Sequence, residues 1–188
     1  DKLWNELETN YPDSDLLKAV GEDSVSNNKI KHLMLMGSLS KFNTEEGLRD
    51  WVKKESIIFP VQVSNKIDGN SCELQYKDGK LLYAVTRGDA VYGEDITLKA
   101  LGMPSIPNTI PTNDYLAVRG EIVMNKNVFE SKYSSDFKNP RNLTAGLLKN
   151  EDFKDYGDLR FIAYDLHNEK CPEATEKGKL QTLELFGF

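Results

Sequence analysis

A chain of 188 residues, 39% apolar and 29% charged, is long enough for one domain with a substantial hydrophobic core. Its net charge of −6 argues against a role as the main surface gripping a nucleic acid, which is usually basic. No stretch reaches the length of a membrane span, and none has the charged-then-apolar form of a signal peptide.

In chain order, residues 2–20 read as a short helix interrupted by Pro12, with Leu3, Leu7 and Tyr11 at helical spacing. The polar stretch 21–31 reads as a linker. Asn43 followed by Glu46 resembles a capping box, opening a helix with Leu48, Trp51 and Val52 on one face and ending near Glu55. Residues 60–63 form an apolar run that reads as a strand. In the next strand Cys72, Leu74 and Tyr76 alternate with Ser71, Glu73 and Gln75, which predicts one buried and one wet face. Asp78-Gly79 signals a hairpin turn, with 81–85 as the returning strand. Residues 116–124 form another strand, after which Asn125 caps a helix to about Tyr133. A third clear strand covers 159–166. A last helix covers 179–186, burying Leu180, Leu183 and Phe186. Strands and helices mix without regular alternation, which favours an α+β fold of antiparallel sheets with flanking helices. There is no internal repeat. The two cysteines, Cys72 and Cys171, lie too far apart for a metal cluster and read as free thiols, and His32 and His167 alone do not make a zinc site.

Four short motifs carry chemistry. Lys66-Ile67-Asp68-Gly69 places an amine and a carboxylate on either side of a tight turn, so both can face one cavity. An amine whose pKa is lowered by burial or neighbouring cations attacks electrophiles, and a carboxylate two residues on can hold a metal. Thr86-Arg87-Gly88-Asp89, continuing to Gly93-Glu94-Asp95, offers backbone N–H groups and a guanidinium to phosphates. In Val118-Arg119-Gly120-Glu121 a strand glycine permits close approach of a ligand, which Glu121 could meet through a ribose hydroxyl or a metal. Asn139-Pro140-Arg141-Asn142, followed by Ala145-Gly146, predicts a turn into a helix start suited to an anion. Each motif alone is also explained by an ordinary surface charge, loop, wet strand face or capped helix.

Taken in this order, the motifs resemble the adenylation domain of bacterial-type NAD-dependent DNA ligases, a covalent nucleotidyltransferase core, over essentially the whole chain. Met36-Gly37-Ser38-Leu39 is similar to that family's segment before the nucleophile, and His32 sits where the family often has a histidine. Phe161-Ile162-Ala163-Tyr164 is similar to its later strand. The resemblance implies that Lys66 attacks the α-phosphorus of NAD, forms lysyl-AMP and expels nicotinamide mononucleotide. AMP would then pass to the 5′-phosphate of a DNA nick before sealing. It implies nucleotide contacts from Ser38, Leu39, Ser64, Arg87, Glu121 and Tyr164, with Tyr164 stacking on adenine. It implies Mg2+ or Mn2+ near Asp68 and Glu121. It implies contacts with nicked double-stranded DNA from Arg141 and Lys149.

The chain departs from that pattern at several places. The family's glutamate two residues before the nucleophile is Ser64, the glycine after TRGD is Ala90, and the arginine after NPRN is Lys149. These changes suggest a divergent member, viral or otherwise outside the main bacterial group. It would work in the cytoplasm with DNA, and in a host's cytoplasm if viral. By the same resemblance, residues 1–31 are a helical remnant of an upstream nicotinamide-recognising domain plus a linker. Residues 32–188 are then the adenylation domain, incomplete at its C-terminal end. The expectation is a fragment, or one chain of a split ligase that needs a second chain for full activity. Two other readings stand beside it. One is an ATP- or GTP-using relative, which shares KxDG but not TRGD or NPRN. The other is a non-catalytic nucleotide- or DNA-binding relic, which the intact Lys66, Asp68, Arg87 and Glu121 oppose.

Overall fold

The computed structural model describes residues 28–57, 61–150, 156–170 and 175–188. The expected helix over 2–20, and also Pro60 and Cys171, lie outside them.

The part of the supposed linker that is described is not a linker. Lys29–Lys31 forms strand β1, paired antiparallel with β4 (Tyr92–Glu94) through Ile30 and Gly93. The first helix, α1 (Glu45–Lys54), has the expected length, but its cap is Thr44 rather than Asn43. Thr44 immediately precedes the first helical residue, and its hydroxyl accepts from Gly47 N at 3.1 Å. Glu45 and Glu46 sit in the first turn and Lys53 and Lys54 in the last, matching the helix dipole.

Residues 61–68 are not a strand, which corrects the reading of the apolar run ending at Val63. Val63 is 84% exposed and the run has no ladder partner among the described residues. Apolar content alone does not make a strand without a neighbour to satisfy its backbone. The central sheet begins just after it, with β2 (Asn70–Lys77) and β3 (Lys80–Thr86). Asp78 and Gly79 join them with φ of 51° and 74°, the two positive values a type I′ turn requires. A four-residue helix, α2 (Thr97–Ala100), leads on to β5 (Leu116–Met124), the middle of the sheet. α3 (Lys126–Lys132) follows, capped by Asn125 as expected. In α4 (Pro140–Lys149) Asn139 accepts from Arg141 N and Asn142 N, and Pro140 is already helical, so the predicted turn is the cap itself. A 3₁₀ turn (Tyr156–Asp158) opens β6 (Leu159–Asn168), and α5 (Glu176–Leu185) closes the chain.

The four strands run in the order β3-β2-β5-β6, each neighbour antiparallel. The fold is α+β, as the element pattern predicts. Cys72, Leu74 and Tyr76 share a face with Val118 and Ile122, and α4 contributes Leu143, Leu147 and Leu148 to the same core. Leu183 of α5 packs there too, with Leu180 and Phe186 half-covered. The Phe188 ring meets Tyr76 and Phe161 edge-on, at 6.2 and 5.9 Å between centroids.

β2 is not half-wet. Glu73 is 0% and Gln75 1% exposed. Glu73 lies against the segment 32–38, a strap laid over the other face of the sheet, and Gln75 holds the Lys31 carbonyl just before it. Register puts Ser71 opposite Glu121, Glu73 opposite Arg119 and Gln75 opposite Ala117 on that face. Burial pushes the Cys72 thiol well above its ordinary pKa, so this free cysteine is an inert core residue.

Candidate active site

An open cleft of about 710 Å³ lies where the start of β2, the end of β3 and the middle of β5 meet β1, β4 and α4. Lys66, Asp68, Arg87, Glu121, Arg141 and Lys149 all line it. The lining carries five cations (Lys29, Lys66, Arg87, Arg141, Lys149) and four carboxylates (Asp68, Asp89, Glu94, Glu121). The whole chain has 24 basic residues against 30 acidic. Positive charge is therefore enriched in the cleft, which suits a phosphorylated ligand.

Lys66 is exposed, and no ion pair ties it down among the described residues. Two residues on, Asp68 lies with its Oδ1 3.4 Å from Arg141 Nε, and the same nitrogen donates to the Gly69 carbonyl at 3.2 Å. Asn70 Nδ2 donates to the Arg141 carbonyl at 3.3 Å. Thus the lysine loop and the first turn of α4 are joined, and the two distant motifs share one wall.

Glu121 is 9% exposed. Its Oε1 accepts from Ser71 Oγ at 2.5 Å, as the register demands, while its buried Oε2 has no partner. An unpartnered carboxylate oxygen on a cleft wall is an acceptor ready for a hydroxyl or a cation. Arg87 is held from the strap side. Its Nε donates to the Met36 carbonyl at 3.1 Å and its Nη2 to Ser38 Oγ at 2.8 Å. Two of its five N–H groups are so engaged, and the others can meet a ligand.

Several motif residues build the site rather than touch its contents. Gly120 does not admit a ligand: a Cβ there would lie 2.3 Å from Phe161 Cζ and 2.5 Å from the Ile162 carbonyl oxygen. Its small size lets β6 close on β5, so the strand glycine is a packing residue. Gly88 has φ of 52°, and a Cβ on it would lie 2.0 Å from the Tyr92 carbonyl oxygen, so it serves the turn of its own loop. Asp89 accepts from Val91 N at 2.9 Å and Tyr92 N at 2.7 Å, and those bonds hold its pKa below the ordinary value. Asp95 accepts from Thr97 N at 2.8 Å, at the entry to α2.

The remaining expected contacts lie outside the cleft lining. Ser38 is tied to Arg87, Leu39 is 74% exposed, and Ser64 is exposed. Tyr164 lies under Arg119, whose guanidinium carbon is 5.9 Å from the ring centroid, and burial raises the phenol's pKa. Sequence reasoning missed Lys29, Ser71 and Tyr92 as lining residues. Ser71 and Glu121 are 50 positions apart, and only strand register brings them together.

The site is thus an exposed lysine in a mixed-charge cleft of an α+β domain, with the cations and open N–H groups that suit a phosphorylated ligand. The family model of the NAD-dependent DNA ligase adenylation domain matches residues 24–188, and the chain belongs to that family. Curated relatives are DNA ligases. That of Treponema pallidum (strain Nichols) is 35% identical over all of this chain and 25% of its own length. That of Petrotoga mobilis is 34% identical over all of this chain and 32% of its own length. That of Malacoplasma penetrans is 40% identical over 78% of this chain and 23% of its own length. The chain thus spans between about a quarter and a third of the relatives it matches end to end.

Proposed function

We propose that this chain is the AMP-accepting core of an NAD-dependent DNA ligase, with Lys66 as the nucleophile. The observation that carries the reading is the convergence of Lys66, Arg87, Glu121 and Arg141, from four separate motifs, on one cleft. The Lys66 amine, once deprotonated, attacks the α-phosphorus of NAD. A P–N bond forms, the bond from that phosphorus to the bridging oxygen breaks, and nicotinamide mononucleotide leaves. Arg87 directs its free N–H groups at the phosphates, and the open oxygen of Glu121 accepts from a ribose hydroxyl or faces a cation. Ser38 acts by orienting Arg87. Leu39, Ser64 and Tyr164 complete the nucleotide surroundings in this reading.

Asp68 and Glu121 give the cleft two hard oxygen donors, which fits Mg2+ or Mn2+. No group of three His, Cys, Asp or Glu side chains clusters among the described residues, so such an ion would keep several waters. When bound, it offsets charge gathering on the α-phosphate. In the next step AMP passes from Lys66 to the 5′-phosphate of nicked double-stranded DNA, with Arg141 and Lys149 on the backbone near the nick. Among the described residues no helix is long and apolar enough to cross a membrane. Work in the cytoplasm, and completion of the cleft by a second ligase chain, belong to the same proposal.

The test is intact-mass spectrometry after incubation with NAD and magnesium, with and without added ligase segments. A gain of one AMP that disappears in Lys66→Ala supports the assignment. An adduct that survives Lys66→Ala overturns it, and an adduct from ATP but not NAD would move the chain to the ATP-using relatives.

A further inference from the structure

We propose that Glu73 is a positioning residue for Arg87, acting through the strap 32–38; the proposal rests on the reading of Arg87 as a nucleotide contact. Glu73 is 0% exposed, in the middle of the central sheet. A carboxylate is costly to bury unless its oxygens are saturated. Here they are. Oε1 accepts from Leu33 N at 3.0 Å and from Gln75 Nε2 at 2.8 Å, and Oε2 accepts from Met34 N at 3.2 Å. His32 Nδ1 lies 3.3 Å from Oε1. Gln75 extends the network, donating to the Lys31 carbonyl at 2.8 Å and accepting from Tyr115 Oη at 2.9 Å.

Every strap group held by this hub belongs to the start of a segment that ends on Arg87. His32 Nε2 lies 3.2 Å from the Arg87 carbonyl oxygen, to which it donates in its Nε2–H form. Met36 and Ser38 receive the guanidinium. Met36 N also donates to the Ala90 carbonyl at 3.0 Å. The strap therefore grips Arg87 at both its backbone and its side-chain end, and Glu73 sets where the strap begins. An apolar residue at position 73 would leave two backbone N–H groups without their acceptor and release the strap from the sheet.

A double-variant cycle on the full chain tests this, with AMP as the probe and isothermal titration as the readout. Glu73→Gln keeps the shape but turns an amide nitrogen toward a backbone N–H. It is expected to weaken AMP binding on the order of tenfold. Combined with Arg87→Ala, it should add nothing further, because its effect travels through that arginine. A purely structural role would instead give additive losses in the double variant, whatever the fall in melting temperature. Additive losses, or unchanged AMP affinity in folded Glu73→Gln, would overturn the proposal. If Glu73→Gln does not melt cooperatively, His32→Phe takes its place in the cycle with the same expectations. On the unmutated chain, AMP should slow hydrogen exchange at the Leu33 and Met34 amides, and exchange unchanged at both would also overturn it. Failure of the unmutated chain to bind either AMP or NAD would instead strike the functional reading, and this proposal with it.

Discussion

The two faces of the central sheet are held by different forces. One face, with Cys72, Leu74, Tyr76, Val118 and Ile122, is covered by helices and packs as ordinary apolar core. The other, with Ser71, Glu73, Arg119 and Glu121, is covered by a strap and filled with hydrogen bonds. Arg119 Nη2 fastens that strap by donating to the Gly37 carbonyl at 2.9 Å. The apolar face supplies stability and the polar face supplies shape, because directional bonds specify where the strap and Arg87 lie. The cleft opens at the edge of the polar face.

Substitutions should separate the two. Leu74→Ala leaves a cavity at a position with no exposure, and should lower unfolding free energy by about 3–4 kcal/mol in urea melts. Gly120→Ala forces a methyl against the Phe161 ring and a backbone oxygen, and should destabilise by about 2–3 kcal/mol. It sits next to Glu121, so its effect should reach the cleft as well as the core. Leu74→Ala should leave AMP affinity nearly unchanged at a temperature where the chain is folded. A loss of AMP binding with Leu74→Ala as large as with Gly120→Ala would erase the distinction between the faces.

The polar face should also have its own pH dependence. Burial alone would raise the Glu73 pKa, but the His32 ring 3.3 Å away and the hydrogen bonds from Leu33 N and Gln75 outweigh it and hold the carboxyl below its ordinary value. The folded state therefore favours the ionised form. That stability is fully present above the unfolded glutamate value, roughly 4.3, and is lost as pH falls through the lower folded value. Glu73→Gln should be less stable than the parent at neutral pH, by about 1–3 kcal/mol, and the gap should shrink on acidification. Thermal melts of both proteins from neutral to acidic pH measure it. Asp89, Asp114 and Asp158, also held low by their partners, contribute the same background slope to both. A gap that stays constant with pH would mean that Glu73 is not ionised in the fold.

How much of this was readable without coordinates follows from the kind of force involved. Strand β5, the Asp78-Gly79 turn and the Asn125 cap depend on residues near one another in sequence, and they were legible. The Thr44 cap was missed by one position, because the capping-box pattern points to Asn43 with Glu46, whereas Thr44 has Gly47 in that place and caps through its hydroxyl alone. Glu73 and Gln75 read as a wet face because alternation reports polarity, and polarity is the same whether the cover is water or a hydrogen-bonding strap. The short run before Lys66 read as a strand because its apolar character is local, while a ladder partner is not. The motifs KxDG, TRGD, VRGE and NPRN were each visible. Their meeting in one cleft depends on the register of β2 with β5 and on the docking of Arg141 at Gly69, neither of which is local.

The smallest expected effect is the most direct test of how this chain departs from its family pattern. Ala90 follows the Thr86-Arg87-Gly88-Asp89 motif where a glycine is the usual residue, and its φ is 80°. An L-residue with a Cβ pays roughly 1–2 kcal/mol in the left-handed region. Glycine removes that strain but adds freedom to the unfolded chain, which takes back roughly 0.5–1 kcal/mol. Ala90→Gly should therefore stabilise the chain by about 0.5–1 kcal/mol, seen as a small rise in melting temperature. Ala90 also touches the strap, through its carbonyl, which accepts from Met36 N, while its own N–H donates to the Arg87 carbonyl within the loop, at 3.0 Å each. If the strain is relieved without moving those bonds, AMP affinity stays as it was and only stability rises. A fall in AMP affinity alongside the rise in stability would show that the left-handed alanine helps hold Arg87 in place, and would extend the polar face's control of the cleft to the loop itself.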